Sequence, residues 1–361
     1  MIDGMPVIDA IVHPYNLSPE NEKTPHAPYI TRMLSGANAE ALGPGYRIPM
    51  ELYERDWPME DVVNMAFLES HADLAVYHVL PIGAFRDGIC GIDKALECKE
   101  RWPQRFVLYA GVDPMKGQAA LDELEEQWER LDHPTGLKLY PNSWVGDQML
   151  GWKMDDPEIA FPLFEKAQSL GIKVVAIHKS LPLGPVEMMY YHVEDIDRAA
   201  MAFPDLQFEI VHGGMAFLEE TAWQVARFPN VWINLESSAT MLTTKPRSFE
   251  EMLATFVGRT TKSFDRLLWG TGSMVTHPRP HLERFAAFEF SKERMEGWGL
   301  PQITSEEKRK ILAENYAAMH GFSLEDRLAA IEGDDIAKKR AELGDETPAP
   351  YSTTTIAGKV Y

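Results

Sequence analysis

The ionisable residues of this chain fall where chemistry is done. Of eleven histidines, five stand at or just past the end of a short apolar run: His13 closes PVIDAIVH, His78 lies in LAVYHVL, His178 closes KVVAIH, His212 closes FEIVH, and His277 follows RLLWGT in GTGSMVTHPRP. Lys138 in GLKLYP and Glu236 in WINLESS hold equivalent places. Neutral imidazole is the commonest metal ligand, and converging imidazoles with a carboxylate suit zinc, iron or a similar divalent ion. His13, His178, His212 and Glu236 are therefore the expected metal ligands, with Lys138 and His277 as catalytic groups. Arg279 lies between the two prolines of HPRP. Its guanidinium fork on a stiffened loop suits a substrate carboxylate.

Such residues need a frame that brings distant run ends together. The runs are PVIDAIV (6–12), LAVYHVL (74–80), FVLYAGV (106–112), GLKLY (136–140), KVVAI (173–177), FEIV (208–211), VWINL (231–235) and RLLWGT (266–271). They are rich in Val, Ile, Leu and aromatics with almost no internal charge, as strands covered on both faces are. Amphipathic segments such as 120–131, 157–171 and 193–203 separate them, and the last two stop at Gly or Pro. Eight strand-then-helix units predict a (β/α)8 TIM barrel, whose functional groups gather at the C-terminal ends of the strands. In that frame His78 can simply plug the interior and is set aside. A doubly wound sheet would need a glycine-rich loop after the first strand, which IVHPYN does not supply.

The barrel is expected over residues 1–325, with a long insertion after the first strand (14–58) lying over its mouth as a lid. Residues 326–361 form a C-terminal extension, whose polar end from Glu342 reads as an extended arm that could grip a neighbouring subunit. A homo-oligomer is expected. Aromatic and sulfur side chains, among them Tyr15, Trp144 and Met188 to Tyr191, collect in the segments over the mouth. They favour a fairly large apolar or aromatic organic substrate, with Tyr190 and Trp144 as contacts.

Composition removes other classes. The 361 residues carry 35 basic and 55 acidic side chains, a net charge of −20, so nucleic acid and anionic membrane are not expected partners. Cys90 and Cys98 are the only cysteines and cannot build a disulfide framework. The start, MIDGMPVIDAIVH, is no export signal, and no run approaches about 18 apolar residues; a cytoplasmic protein is expected. No G-x-S-x-G elbow, Walker loop or H-E-x-x-H motif occurs.

Taken in order, VIDAIVH, KLYP, the fifth-strand His178, VHGG, LLWGT and the closing ILAENYAAMHGF with Asn315 resemble the amidohydrolase superfamily, in its aminocarboxymuconate-semialdehyde decarboxylase-like branch. The resemblance spans about residues 5–322. It implies one divalent metal held by a His-x-His pair on strand one, a His on strand five and an Asp on strand eight, with the strand-six His moving protons. His13, His178 and His212 match. The first His of the pair falls on Ile11 and the Asp on Gly272, so Glu236 and His277 are expected to fill the vacated roles. The resulting expectation is a metal-dependent hydrolase or lyase, with zinc, iron or manganese in one or two sites, acting on a small, largely apolar or aromatic-derived organic acid. A non-heme iron monooxygenase, or a metal-free binding protein on the same barrel, are the alternatives.

Overall fold

The computed structural model describes residues 1–41, 43–344 and 346–360. Eight parallel strands follow one another around a single sheet: β1 (Ile8–Val12), β2 (Leu74–His78), β3 (Phe106–Gly111), β4 (Gly136–Leu139), β5 (Val174–His178), β6 (Gln207–Val211), β7 (Val231–Asn234) and β8 (Leu267–Leu268). Each pairs in parallel with the next. Backbone bonds from Ala10 to Trp269, from Gly272 to Ile11 and from His13 to Ser273 close the ring. The eight apolar runs are these eight strands, and a helix lies against the sheet in each interval.

The runs are continuous because both faces are buried. Leu74, Val76, Val174, Ala176 and Leu268 fill the interior, together with Ile8 and Ile11. Leu137, Leu139 and Ile177 turn outward against Leu124 and Phe164 of the surrounding helices. Two short antiparallel hairpins, Leu80–Pro81 with Ile89–Cys90 and Asn142–Val145 with Gln148–Gly151, decorate the rim.

The segment after β1 carries α1 (Ala27–Ala41) before the chain reaches α2 (Met59–Phe67) on the barrel wall. The C-terminal tail departs from the expected free arm. After the helix Asp335–Leu343 it folds back on its own barrel, where Tyr351 and Ile356 are buried. Thr355 donates its backbone N–H to Asp61, and Asn64 donates to the carbonyl of Thr353. Polar composition hid this packing, since the tail is held mainly by hydrogen bonds to buried carboxylates rather than by an apolar stripe.

Candidate active site

A cavity of about 390 Å³ opens at the C-terminal mouth of the barrel, lined at its floor by His13, Lys138, Tyr140, His178, His212 and Glu236. Each stands at or just past a strand end, so ring closure alone brings together residues up to 223 positions apart. Met33, Leu34 and Ala37 of α1 form one wall, with Ile82, Ile89, Leu183 and Met215 continuing the apolar lining. Ser237, Thr240, Thr244 and Lys245, all from the segment after β7, make the opposite wall polar.

The floor is a connected chain. His178 places Nε2 2.7 Å from the carbonyl oxygen of Leu181. That oxygen only accepts, so Nε2 carries the hydrogen and Nδ1 keeps its lone pair. His212 Nε2 lies 2.9 Å from that Nδ1 and is therefore the donor. The other nitrogen of His212, Nδ1, meets Glu236 Oε2. Burial pushes the Glu236 carboxyl up, but the charge and hydrogen bond of His212, helped by His13 and Ser237, outweigh it and hold the group below the usual carboxylate range. His212 is thus held between His178 on one side and the Glu236 carboxylate on the other.

Burial shapes the other groups. It lowers His13 to about 3, against a smaller pull upward from Glu236, so this imidazole is neutral at ordinary pH, and its Nδ1 has no partner. Burial likewise drives His178 well down, with His212 and Lys138 adding to it. It brings Lys138 to about 8, while the carboxylates of Glu209 and Glu236 pull the ammonium back up. Backbone strain sits in the same place: His212 and Ser237 adopt left-handed φ values of 64° and 55°, conformations that cost a non-glycine residue about 1 kcal/mol and concentrate at functional sites.

Glu236 owes its position to a glycine. A Cβ on Gly272, whose φ is +65°, would come 1.8 Å from Glu236 Oε1 and 2.8 Å from its Cδ. The space that a side chain on the loop after β8 would occupy is filled by the carboxylate from β7.

In donor chemistry, His13, His178 and Glu236 suit a divalent ion: a neutral imidazole with an unpartnered nitrogen, an imidazole whose other N–H is anchored on a carbonyl, and an ionised carboxylate. Among the described residues, no three His, Cys, Asp or Glu side chains are already spaced as a coordination sphere. The lone pair of His178 is taken up by His212, and Glu236 by His212 and Ser237.

Four expected site residues lie elsewhere. His277 is fully buried outside the cavity, its Nε2 3.0 Å from Glu69 Oε2. Arg279 opens the helix Arg279–Ala286, where Glu283 one turn on captures its Nε at 2.7 Å. Tyr190 lays its ring over Gly151, so closely that a Cβ there would fall 1.9 Å from it. Trp144 sits in the second hairpin and lines a separate cavity beside the rim. Arg279 is turned by Glu283 four residues on, His277 by Glu69 far away in the chain, and Tyr190 and Trp144 by a hairpin invisible to periodicity. Sequence reasoning missed Tyr140 and Lys245. Tyr140 lies two residues past Lys138, a strand-end position that could have drawn notice; Lys245 had no such signal. His78, set aside as a plug, is buried and stacked 4.3 Å from Tyr109, with neither ring nitrogen partnered.

A closed (β/α)8 barrel with its ionisable side chains gathered at the C-terminal mouth has the layout of an enzyme. Residues 91–322, well over half of the chain, match the Amidohydrolase family, and the protein belongs to it. Among solved structures it is similar to an uncharacterized TIM-barrel protein from Bordetella bronchiseptica, at 20% identity over 88% of this chain and 100% of the other, with a TM-score of 0.59. A 2,6-dihydroxybenzoate decarboxylase complexed with 2,6-dihydroxybenzoate aligns at 15% identity over 88% and 100%, TM-score 0.56. A dihydroxybenzoic acid decarboxylase from Polaromonas sp. JS666, with bound manganese and the inhibitor 2-nitroresorcinol, aligns at 15% over 88% and 97%, TM-score 0.55. At these identities the likeness is one of fold. No curated protein matches the sequence.

Proposed function

We propose that this protein is a decarboxylase-like lyase acting on a small aromatic or largely apolar organic acid bound in the barrel mouth. The observation that carries the reading is the Glu236–His212–His178 chain beside Lys138 at the floor of a cavity with one apolar wall. The aromatic-acid decarboxylases with the same fold support it. The substrate's apolar body would lie against Met33, Leu34, Ile82 and Met215, which exclude water. Its carboxylate would meet the Lys138 ammonium, protonated below about pH 8. When the C–C bond breaks and carbon dioxide leaves, the electron pair stays on the substrate carbon. His212 would then deliver a proton to that carbon from its Nε2–H, with Glu236 beside its Nδ1. Lys245, rather than Arg279, is the cation on the cavity wall that can hold a second polar group of the substrate. A divalent cation would be held by His13, His178 and Glu236 once His212 turns away from the His178 lone pair, and would supply charge stabilisation to the substrate's oxygens.

The test is twofold. Protein purified without chelator is assayed for metal content and for carbon dioxide release from a panel of hydroxybenzoates and related acids. About one divalent ion per chain is expected, with turnover abolished in His212→Asn. Iron accompanied by oxygen uptake, or His212→Asn turning over like the wild type, overturns the proposal.

A further inference from the structure

We infer that the C-terminal segment 346–360 braces the wall of the cavity without lining it, and that Tyr351 is a positioning residue joining the α1 segment to the loop after β8. The inference concerns the shape of the cavity and is independent of the reaction proposed above.

The argument starts from Glu69. Its side chain is wholly buried, and a buried carboxylate is tolerated only when its oxygens are satisfied. Three of its hydrogen bonds come from the tail: Tyr351 N–H at 2.6 Å, Thr353 N–H at 2.7 Å and Thr353 Oγ1 at 2.6 Å. The fourth comes from His277 Nε2 at 3.0 Å. The tail and the loop after β8 are therefore bound to one buried side chain, and either leaving strips it of part of its hydrogen bonds.

That loop is cavity wall, since Val275 and Thr276, directly before His277, line the mouth. The lid is tied to the same point. Asn38 of α1 donates to the carbonyl of Val275 at 3.2 Å and accepts from Ile48 N–H at 3.0 Å. Tyr351 completes the junction: its ring stands edge-on to His277 at 5.0 Å, and its hydroxyl donates to the carbonyl of Tyr46 at 3.3 Å. Tyr46 in turn packs its ring 5.5 Å from His277. His277, which the sequence suggested for chemistry, thus serves as the pin on which lid, loop and tail converge.

Hydrogen exchange read by mass spectrometry on the full-length chain tests this. Tyr351→Ala is expected to speed exchange roughly ten- to hundredfold in residues 27–41 and 272–278, while 174–178 and 207–211 keep wild-type protection. Tyr351→Phe keeps the ring against His277 and should restore most of the protection. Should Tyr351→Ala fail to fold, Thr353→Val removes one donor to Glu69 and should loosen the same two segments by a few-fold. Faster exchange confined to the tail, or spread evenly over the barrel, overturns the inference.

Discussion

Gly272 and Glu236 offer the sharpest test of how the floor is built. In Gly272→Ala the new methyl carbon would have to occupy a point 1.8 Å from Glu236 Oε1, on a backbone with φ +65°. Left-handed backbone costs an alanine about 1–2 kcal/mol. Expelling the carboxylate also breaks its 2.9 Å bond from Ser237, and a buried hydrogen bond to a charged group is worth about 1.5–3 kcal/mol. The total is about 4 kcal/mol. With about 2.1 cal/mol/K of unfolding entropy per residue, a chain of 361 residues should lose about 5 °C in Tm. In a Glu236→Ala background the collision is gone and only the backbone term of about 1–2 kcal/mol remains. A double-mutant cycle by urea unfolding should therefore show a coupling of about 2–3 kcal/mol between the two sites. Additive costs would refute the claim that the carboxylate fills the space over Gly272.

Two further outcomes follow from the same cavity. His13 is held near 3 in the fold against 6.5 when unfolded, so the unfolded chain takes up its proton first as the pH falls. Its stabilising contribution is complete above about pH 6.5 and is lost between there and about 3. His13→Gln should flatten that acid limb by up to about 1.4 kcal/mol per pH unit, and parallel wild-type and variant stability curves would refute it. Lys245→Gln should raise KM about three- to tenfold for whichever acid the carbon dioxide assay identifies, leaving kcat nearly unchanged; a fall in kcat alone would show that Lys245 does not act by binding substrate.

The barrel was legible in the sequence because strands buried on both faces must be unbroken apolar runs. The run 266–271 overstates β8, whose sheet pairing ends at Leu268 while the chain continues along β1 through Trp269, Gly272 and Ser273. The strand-end residues His13, Lys138, His178, His212 and Glu236 were legible for the same reason, since barrel topology dictates where a strand end points. Residues beyond the strand ends were not. Arg279 is turned by Glu283 one helical turn on, Tyr190 by Gly151 in a rim hairpin, and His277 by a carboxylate at Glu69 and a tail more than seventy residues further on. Periodicity carries no information about such partners. The tail's own docking was hidden likewise, because Glu69 and Asp61 read as surface acids until their hydrogen bonds are seen.

The seam of the ring has a consequence for how the protein acquires its chemistry. The bonds that join Ala10 to Trp269, Ile11 to Gly272 and His13 to Ser273 unite segments some 260 positions apart in the chain. Glu236 comes to rest over Gly272 only once that junction exists. A nascent or renaturing polypeptide therefore has no assembled centre until its last strand arrives, so regain of ligand affinity during refolding would mark completion of the circle rather than collapse of the core.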